Sequence, residues 1–417
     1  MSEAVSVKNA QYYIDLENAH GAHNYHPLPV VLDKGEGVYV WDVEGKKYFD
    51  FLSAYSAVNQ GHSHPKIVAA LVNQAKKLAL TSRAFYNSSL GEYEKKIASL
   101  FGFDKVLPMN SGAEAVETAV KLARKWSYEV KGISENSAKI IVCENNFHGR
   151  TTTIVSFSND EDASKNYGPF TPGFVKIPYN DINALEELLK NDAPNIAAFL
   201  VEPIQGEAGV YVPDAGYLKT ASELCKKYNV LFIADEVQTG IARTGKLIAC
   251  HHENVQPDIL VLGKAISGGM YPVSAVLAND NIMHVIQPGQ HGSTFGGNPI
   301  ACAVAMAALD VVEDEHLAER AEELGNLFRS EMDKLIAKTD LITKVRGKGL
   351  LNAILINDTP ESSTAWNLCL QLKENGLLAK PTHGNIIRLA PPLVITEEQL
   401  LECVSIIEKT VLKFKKD

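Results

Sequence analysis

The chain has 417 residues, of which 46% are hydrophobic and 22% are charged, and its formal net charge is -10. This length and composition predict a globular protein with a large core and two or more structural units. A net negative charge with scattered lysines provides no continuous basic surface, so we expect no nucleic-acid partner.

The first residues carry no recognisable targeting signal. The segment "MSEAVSVKNAQYYIDLENAH" lacks the apolar core of a secretory signal, and it contains no arginine, in which mitochondrial presequences are rich. The six cysteines lie far apart and include no Cys-x-x-Cys pair, which favours reduced thiols over a disulfide framework. We therefore expect a cytoplasmic protein without disulfides.

Two histidines in "GHSHP", His62 and His64, are the first candidate metal ligands along the chain. Zinc sites combine such histidines with further histidine, cysteine or carboxylate ligands at defined spacings. These two residues stand beside a proline, without a carboxylate or cysteine partner. We interpret the segment as loop structure and predict no metal site.

The segment "NSGAEAVETAVKLARKW" predicts an amphipathic helix that begins near Gly112. A helix N-terminus binds anions, because its first amide groups have no partner within the helix. Ser111 and Glu114 also form the S-x-x-E pattern of a capping box, which explains both residues without a ligand. The box does not require Gly112, whose missing side chain permits close approach of a phosphate. We favour a phosphate site and keep the helix cap alone as the alternative.

Four short apolar runs alternate with polar or helix-periodic segments: "AKIIVCE", "AAFLVEP", "VLFIADE" and "DILVLGK". This alternation predicts an α/β domain with a largely parallel, buried sheet. Ligands of such sheets bind at the carboxyl ends of the strands. Glu202, Asp235 and Lys264 stand at the ends of three of these runs, so we expect them to face one site.

The stretch "LFIADEVQTG" ends an apolar run in two acids, Asp235 and Glu236, and "GIARTGK" follows it. One interpretation is a module that binds a nucleoside triphosphate. A P-loop, however, ends in Gly-Lys-Ser/Thr because the hydroxyl binds Mg²⁺, whereas Lys246 is followed by Leu247. The acidic strand also precedes the loop directly, so we interpret the glycines as turn formers.

Lys264 stands directly between a buried apolar run and the sequence Ser-Gly-Gly. Burial at a strand end lowers the pKa of an amine and makes it a better nucleophile. A Schiff-base lysine together with a carboxylate for the ring nitrogen, here Asp235, is the pair that pyridoxal phosphate requires. The alternatives are a solvated surface lysine and an aspartate that only caps its strand.

The sequence pattern changes after about residue 298. The stretch "PIACAVAMAALDVV" is too short to span a bilayer, which takes about 20 residues, so we interpret it as a buried helix and expect no membrane association. A long amphipathic helix and short strands such as "NAILI" and "IIRLA" follow. We predict an N-terminal segment, 1–54, associated with a small C-terminal domain, 298–417, and a large cofactor-binding domain, 55–297.

Spaced motifs resemble the class III, omega-amino-acid branch of the pyridoxal phosphate aminotransferases: "NSGAEAVE", "NNFHGRT", "VEPIQGEAG", "IADEVQTG", "LGKAISGG" and "GSTFGGNP". Others are similar to the ornithine aminotransferases of that branch: "AHNYHPLPVVL", "FLSAYSAVNQGH", "SRAFYN", "VRGKGLLNAI" and "GLLAKPTHGNIIRLAPPLVI". The resemblance implies fold type I of the pyridoxal-phosphate-dependent transferases, with a mostly parallel sheet in the large domain and a smaller α+β domain. It also implies transfer of the terminal amino group of L-ornithine to 2-oxoglutarate.

The resemblance implies a site for pyridoxal 5'-phosphate. Lys264 would be the catalytic lysine that carries the cofactor, and Asp235 would pair with the pyridine nitrogen. The other cofactor-binding residues would contact the 3-oxygen, the ring face and the phosphate: Gln238, Phe147, and Ser111, Gly112 and Ala113. Thr294 would reach the phosphate of the other subunit, so a homodimer with shared active sites is implied.

The resemblance also implies a set of substrate-binding residues: Tyr25, Tyr55, Arg150, Glu207 and Arg388. Arg388 would bind an α-carboxylate and pair with Glu207 when that site is idle. Each of these residues has a simpler explanation as a core, loop or ion-pair residue. Position 148 is a histidine, whereas animal ornithine aminotransferases often have a tryptophan there. Acetylornithine or 4-aminobutyrate aminotransferase and an aminomutase, which needs no separate acceptor, remain the alternative functions.

Overall fold

The computed structural model of the protein describes residues 8–415. The first seven residues of the predicted segment 1–54 and the last two of 298–417 therefore lie outside the described residues. The α-helices of three turns or more are Ala10–His20, Pro65–Lys77, Leu90–Phe101, Gly112–Trp126, Ile182–Asp192, Tyr217–Lys227, Pro299–Asp314, Leu317–Ile336, Thr364–Glu374 and Glu397–Lys413. Shorter helical turns are Thr152–Val155, Glu161–Ser164, Asp280–Met283, Ser127–Lys131, Ala193–Asn195, Ala249–Glu253 and Lys264–Ser267.

The central sheet has seven strands, in the order Lys105–Met109, Ser274–Ala278, Ile259–Leu262, Leu231–Asp235, Ile196–Val201, Lys139–Cys143 and Phe174–Ile177. Only Ser274–Ala278 is antiparallel to its neighbours, and the other pairs are parallel. The four predicted strands are confirmed and lie side by side. Sequence analysis missed the remaining three, one of which, Lys105–Met109, lies at the edge of the sheet and contains a proline.

Helices cover both faces of the central sheet. Gly112–Trp126 buries eight of its residues on one face, and Pro299–Asp314, the predicted buried helix, buries ten in the core on the other side. All six residues of Ile196–Val201 are buried, as expected for a strand covered on both faces. Each fully buried Val or Leu side chain contributes about 1.5–3 kcal/mol, so this packing fixes the strand ends firmly.

Two four-stranded sheets complete the fold. The C-terminal sheet is antiparallel, in the order Ile342–Lys348, Leu351–Ile356, Ile386–Leu389 and Lys380–Thr382. The other sheet contains Leu32–Glu36, Tyr39–Asp42 and Lys47–Asp50, and Leu377–Leu378 joins it in parallel. Pairing of early strands with residues 377–378 supports the association of segment 1–54 with the C-terminal domain. The domain boundaries themselves stay a prediction.

The glycine-containing loop after Asp235 is a buried structural element. Arg243 in this loop donates hydrogen bonds to the Asn59 side chain and to the carbonyls of Leu350, at 3.0 Å, and Pro391, at 2.7 Å. Burial lowers the pKa of Arg243 to about 9. The loop thus joins the central and C-terminal parts of the fold. Among residues 8–415, no helix combines the length and apolar character that a membrane span requires.

Candidate active site

Three neighbouring parallel strands end at one edge of the central sheet and place Glu202, Asp235 and Lys264 around a single cavity. The cavity has a volume of about 210 Å³. Seven of the predicted site residues line it: Gly112, Ala113, Phe147, Glu207, Asp235, Gln238 and Lys264. The expectation that these strand ends face one site is confirmed in position, whereas the role of each residue stays a prediction.

Lys264 begins a short helical turn with an unusual backbone. Its φ angle is 47°, in the left-handed region, where a residue with a side chain is strained by about 1–3 kcal/mol. Burial lowers the pKa of Lys264 to about 8; Glu207 opposes this effect and Arg388 reinforces it. A substantial fraction of this amine is therefore uncharged near neutral pH and can act as a nucleophile or accept a proton.

Asp235 is buried and holds a histidine that sequence analysis did not assign to the site. His148 Nδ1 lies 2.6 Å from Asp235 Oδ2, and the Val237 amide donates to Asp235 Oδ1 at 3.0 Å. Burial lowers the pKa of His148, but the hydrogen bond and charge of Asp235, together with the charge of Glu202, outweigh it and raise that pKa. His148 therefore donates a hydrogen bond to Asp235, whose carboxylate lines the cavity as a suitable partner for a protonated ring nitrogen.

Glu202 supports the neighbouring aromatic residue. Its Oε1 accepts a hydrogen bond of 2.8 Å from the Phe147 amide, which fixes the start of the Phe147–Gly149 loop beside the cavity. Burial raises the pKa of Glu202 to about 7, and the positive charge of His148 only partly offsets this. Phe147 is half-buried and its ring is available to cover a flat ligand.

The second acid of the Asp-Glu pair, Glu236, has a purely structural environment. It is fully buried and accepts hydrogen bonds from the Thr239 hydroxyl and from the amides of Ala249, at 2.9 Å, and Cys250, at 2.8 Å. Adjacent residues of a strand project to opposite faces, so only Asp235 reaches the cavity. Glu236 instead anchors the turn that begins at Ala249.

The helix Gly112–Trp126 presents its N-terminus to the cavity. The capping box is present: Ser111 Oγ accepts from the Glu114 amide at 3.2 Å, and Glu114 Oε2 accepts from the Ser111 amide at 3.0 Å. Within residues 8–415, the amides of Gly112 and Ala113 have no hydrogen-bond acceptor, so they remain available to an anion. A Cβ at Gly112 would lie only 2.8 Å from Val237 Cγ1. Packing against Val237 is therefore sufficient to explain the glycine at this position, with or without a phosphate.

Gln238 reaches the cavity through space that Gly206 leaves open. A Cβ on Gly206 would lie only 1.5 Å from Gln238 Oε1, so no other residue fits at position 206 without displacing Gln238. Gln238 Oε1 is buried and has no hydrogen-bond partner among the residues that the structure describes. A buried amide oxygen without a partner is costly and is available to a ligand that donates a hydrogen bond.

Glu207 and Arg388 form a bidentate ion pair beside Lys264. Arg388 Nη1 lies 2.5 Å from Glu207 Oε2, and Nη2 lies 3.2 Å from Oε1. Arg388 is only 4% exposed, and its guanidinium carbon lies 4.8 Å from the centre of the Tyr55 ring. Burial alone raises the pKa of Glu207, but Arg388 and Lys264 outweigh it and lower that pKa. The pair is therefore ionised and occupies the carboxylate-binding groups of Arg388.

Tyr55 is presented by a left-handed turn that contains no glycine. The φ angles of Ser53, Ala54, Tyr55 and Ser56 are 49°, 47°, 58° and 68°. Left-handed backbone costs a residue with a side chain about 1–2 kcal/mol, so surrounding contacts must hold this turn. The Asp50 carboxylate accepts hydrogen bonds from the amides of Leu52 and Ser53 at its start.

The remaining predicted residues lie outside the cavity lining. Tyr25 is 72% exposed. Burial raises the pKa of Tyr55, and the nearby Tyr25 adds to this effect. Arg150 is exposed, with its guanidinium carbon 5.8 Å from the centre of the Phe147 ring and a long, 3.9 Å contact to Asp160. Four more predicted residues are not in the lining: Ser111, Tyr55, Arg388 and Thr294. Thr294 lies on an exposed loop near residues 80–83.

The two histidines of "GHSHP" bind separate carboxylates. His62 Nε2 lies 2.8 Å from Asp50 Oδ2, and His64 Nε2 lies 3.0 Å from Glu315 Oε1. Each ring thus has its own structural partner, and His62 steadies Asp50, which begins the left-handed turn.

Comparisons with known proteins extend over nearly the whole chain. Residues 20–411 match the family model described as aminotransferase class-III. Ornithine aminotransferase, mitochondrial, from Drosophila melanogaster is 66% identical, with 95% of this chain and 90% of that protein aligned. The rat protein of the same name, from Rattus norvegicus, is 61% identical, with 97% of this chain and 91% of that protein aligned.

Two solved structures are similar as well. A structure named acetylornithine aminotransferase, from Elizabethkingia anophelis, is 81% identical with a TM-score of 0.91 and covers 98% of this chain and 100% of its own. A structure of the ornithine aminotransferase from Toxoplasma gondii is 51% identical with a TM-score of 0.95, covering 98% of this chain and 95% of its own, and its title states partial occupancy of PLP at the active site.

The names of the relatives contradict the cytoplasmic expectation, which is wrong: the fly and rat proteins are both named mitochondrial. The expectation depended on the absence of a recognisable signal in the first residues. Such an absence does not determine the compartment of a protein.

Proposed function

This chain belongs to the class-III aminotransferase family, and we propose that it transfers the terminal amino group of L-ornithine to 2-oxoglutarate, giving glutamate 5-semialdehyde and glutamate. It is a pyridoxal-phosphate-dependent aminotransferase. The observation that carries the ornithine reaction is the Glu207–Arg388 ion pair beside Lys264. The pair masks an arginine that acts electrostatically on the reacting amine, so a substrate with an α-carboxylate at its other end can present its terminal amino group.

The groups around the cavity fit the cofactor. Pyridoxal phosphate, when bound, supplies an aldehyde that takes up the amino group and a ring that accepts electrons. The Gly112 and Ala113 amides suit its phosphate, and Asp235 with its His148 donor suits the ring nitrogen. Gln238 lines the cavity, and the N–H donors of its side-chain amide suit the ring oxygen.

Lys264 then has two tasks in the proposed mechanism. Its uncharged amine would hold the cofactor, and as a free amine Lys264 would take a proton from the substrate carbon and later return one. A pKa near 8 suits both tasks, because the amine accepts and returns protons near neutral pH. His148 would orient the Asp235 carboxylate, and that carboxylate would stabilise a positive charge on the ring nitrogen.

The two substrates place their carboxylates differently in this proposal. Ornithine puts its terminal amine at Lys264 and its α-amino and α-carboxylate groups toward Tyr25, Tyr55 and Arg150. The acceptor puts its α-keto carbon at the same point, so its α-carboxylate must displace Glu207 and bind Arg388 as a bidentate pair.

We also propose a homodimer with shared active sites. Thr294 does not line the cavity of its own chain, and its loop is exposed. Large apolar side chains of Phe85, Tyr86 and Phe295 are exposed around the same surface. Contiguous apolar surface of this kind is typical of an interface, and a second copy would bring Thr294 to the partner's phosphate.

Acetylornithine aminotransferase is the second candidate, because the Elizabethkingia anophelis structure of that name is 81% identical. N-acetylation converts the charged α-amino group of ornithine into a neutral amide. The proximity of the Tyr25 and Tyr55 hydroxyl groups favours the charged group, which accepts no hydrogen bond but donates three.

A half-reaction on the purified holoprotein decides between the candidates. L-ornithine, N-acetylornithine and 4-aminobutyrate are each added without an acceptor, and the loss of the cofactor absorbance is followed. We expect ornithine to react at least about tenfold faster than the other two at equal concentration. Faster reaction with N-acetylornithine would overturn the proposal, and turnover of ornithine without any acceptor would indicate an aminomutase.

A further inference from the structure

Three cations occupy one cross-strand row of the C-terminal sheet. Arg346 is opposite Ala353, Ala353 is opposite Arg388, and Arg388 is opposite Lys380. Side chains directly opposite one another in antiparallel strands project from the same face. That face meets the loop that carries Glu207, since Arg388 binds Glu207 and Arg346 Nε donates to the Gly209 carbonyl at 2.8 Å.

Two of the three cations are engaged, and the third is not. The Arg346 guanidinium carbon lies 3.8 Å from the centre of the Tyr211 ring, and Arg388 is held by Glu207. Within residues 8–415, the partly buried ammonium of Lys380 has neither a hydrogen bond nor an ion pair. Burial and the charge of Arg388 lower the pKa of Lys380, and Glu207 opposes this, so Lys380 lies within electrostatic reach of both.

The proposed exchange at Arg388 leaves Glu207 without a cation. A partly buried carboxylate that loses its partner is destabilised unless another positive charge is near. The backbone cannot carry Glu207 away, because the Thr382 hydroxyl donates to the Glu207 carbonyl at 2.9 Å and Arg346 holds Gly209. Only the side chain is free to move, so its new partner must be within reach of the same Cα atom.

We propose that Lys380 receives the Glu207 carboxylate when a substrate carboxylate displaces it from Arg388. This inference rests on the proposed function and identifies the residue that makes its second half-reaction possible. Lys264 is the other amine near Glu207, but a carboxylate bound there would raise the pKa of Lys264 and withdraw the amine from proton transfer. Lys380 is thus a positioning residue that acts through Glu207.

Glutarate tests the inference without catalysis, because this dicarboxylate has no keto group to react. The affinity of the holoprotein for glutarate is measured by calorimetry. The concentrations of 2-oxoglutarate and of ornithine that half-saturate the acceptor and donor half-reactions are measured alongside it. We expect Lys380→Met to weaken the binding of both dicarboxylates about tenfold more than it weakens the binding of ornithine. Lys380→Arg should restore binding to within about threefold, because it keeps the charge. Lys344→Met, which removes an exposed lysine from another strand of the sheet, is the matched control.

Repeating the Lys380 substitution in a Glu207→Gln variant shows whether Lys380 acts through Glu207 or binds the ligand directly. In Glu207→Gln protein no carboxylate needs a new partner, so adding Lys380→Met should change glutarate affinity less than about twofold. A loss that persists in that background would mean that Lys380 binds the dicarboxylate itself, which overturns the inference. Unchanged affinity in the Lys380→Met single variant would overturn it as well, and Lys380→Gln repeats the test should the methionine variant fold poorly.

Failure of the proposed function gives a different pattern. Absence of ornithine turnover in the unaltered protein contradicts the function, whereas glutarate binding still reports on Lys380. A Glu207→Gln variant that binds glutarate no more tightly than the unaltered protein contradicts the exchange at Arg388, and with it the inference.

Discussion

The lowered pKa of Lys264 predicts how the apoprotein captures its cofactor as pH changes. A pKa of about 8, in place of the ordinary 10.5, leaves about a quarter of the amine uncharged at pH 7.5, against about one part in a thousand for an ordinary lysine. The difference is about 200-fold in the concentration of the nucleophile. Covalent attachment should therefore be fast near neutral pH and should reach half of its plateau rate near pH 8.

Replacing Arg388 should move that midpoint in a defined direction. Arg388 lowers the pKa of Lys264, and Glu207 raises it. In Arg388→Gln the lowering influence is lost and Glu207 is left unpaired beside the amine, so both changes raise the pKa of Lys264. At a fixed pH near 7.5, the variant should attach the cofactor more slowly than the unaltered protein, and its midpoint should lie above pH 8.

Two measurements check this prediction. Stopped-flow mixing of apoprotein with pyridoxal phosphate from pH 6 to 10 gives the attachment rate, with Lys264→Ala as the blank. Competitive acetylation of the apoprotein, with mass spectrometry of the peptide containing Lys264, reports the uncharged amine without the cofactor. A midpoint above about pH 9.5, or a lower midpoint in Arg388→Gln, would refute the electrostatic reasoning.

Three further predictions concern the other groups of the site. Glu207→Ala should increase α-amino transfer from ornithine about tenfold, because an unmasked Arg388 also binds the α-carboxylate of the donor. Chromatography that finds no more 2-oxo-5-aminopentanoate than the unaltered protein forms would contradict the masking of Arg388 by Glu207. Mixing Thr294→Ala with Lys264→Ala protein should give hybrid dimers whose two sites differ in cofactor affinity by equilibrium dialysis, and a fully active monomer is the contrary result. Gly206→Ala should lower stability by about 1–3 kcal/mol in thermal unfolding by displacing Gln238. Adding Gln238→Ala should recover most of that loss, and no recovery would mean that the clash lies elsewhere.

Much of the fold and the centre of the site follow from the sequence. Short continuous apolar runs and the capping box at Ser111 identify strands and a helix N-terminus, since these signals depend on residues a few positions apart. Carboxyl ends of neighbouring parallel strands meet at one edge, so Asp235 and Lys264 could be placed together before any contact was known. The N-terminal strands were not predicted, because their sheet is completed by residues more than 300 positions away, at Leu377–Leu378.

The family resemblance had already implied that Arg388 pairs with Glu207, but the tertiary structure decided other contacts of the site and which groups are left without partners. His148 binds Asp235 across 87 positions, a contact that the sequence did not indicate. The Lys380 ammonium stands beside Arg388 because of strand register, which no local pattern encodes. The left-handed turn at Tyr55 likewise contains no glycine, so nothing in its sequence signals it. Local patterns specify backbone periodicity and caps, whereas the partners of a charge depend on strand order, register and packing between distant segments, and these are settled only when the whole chain folds.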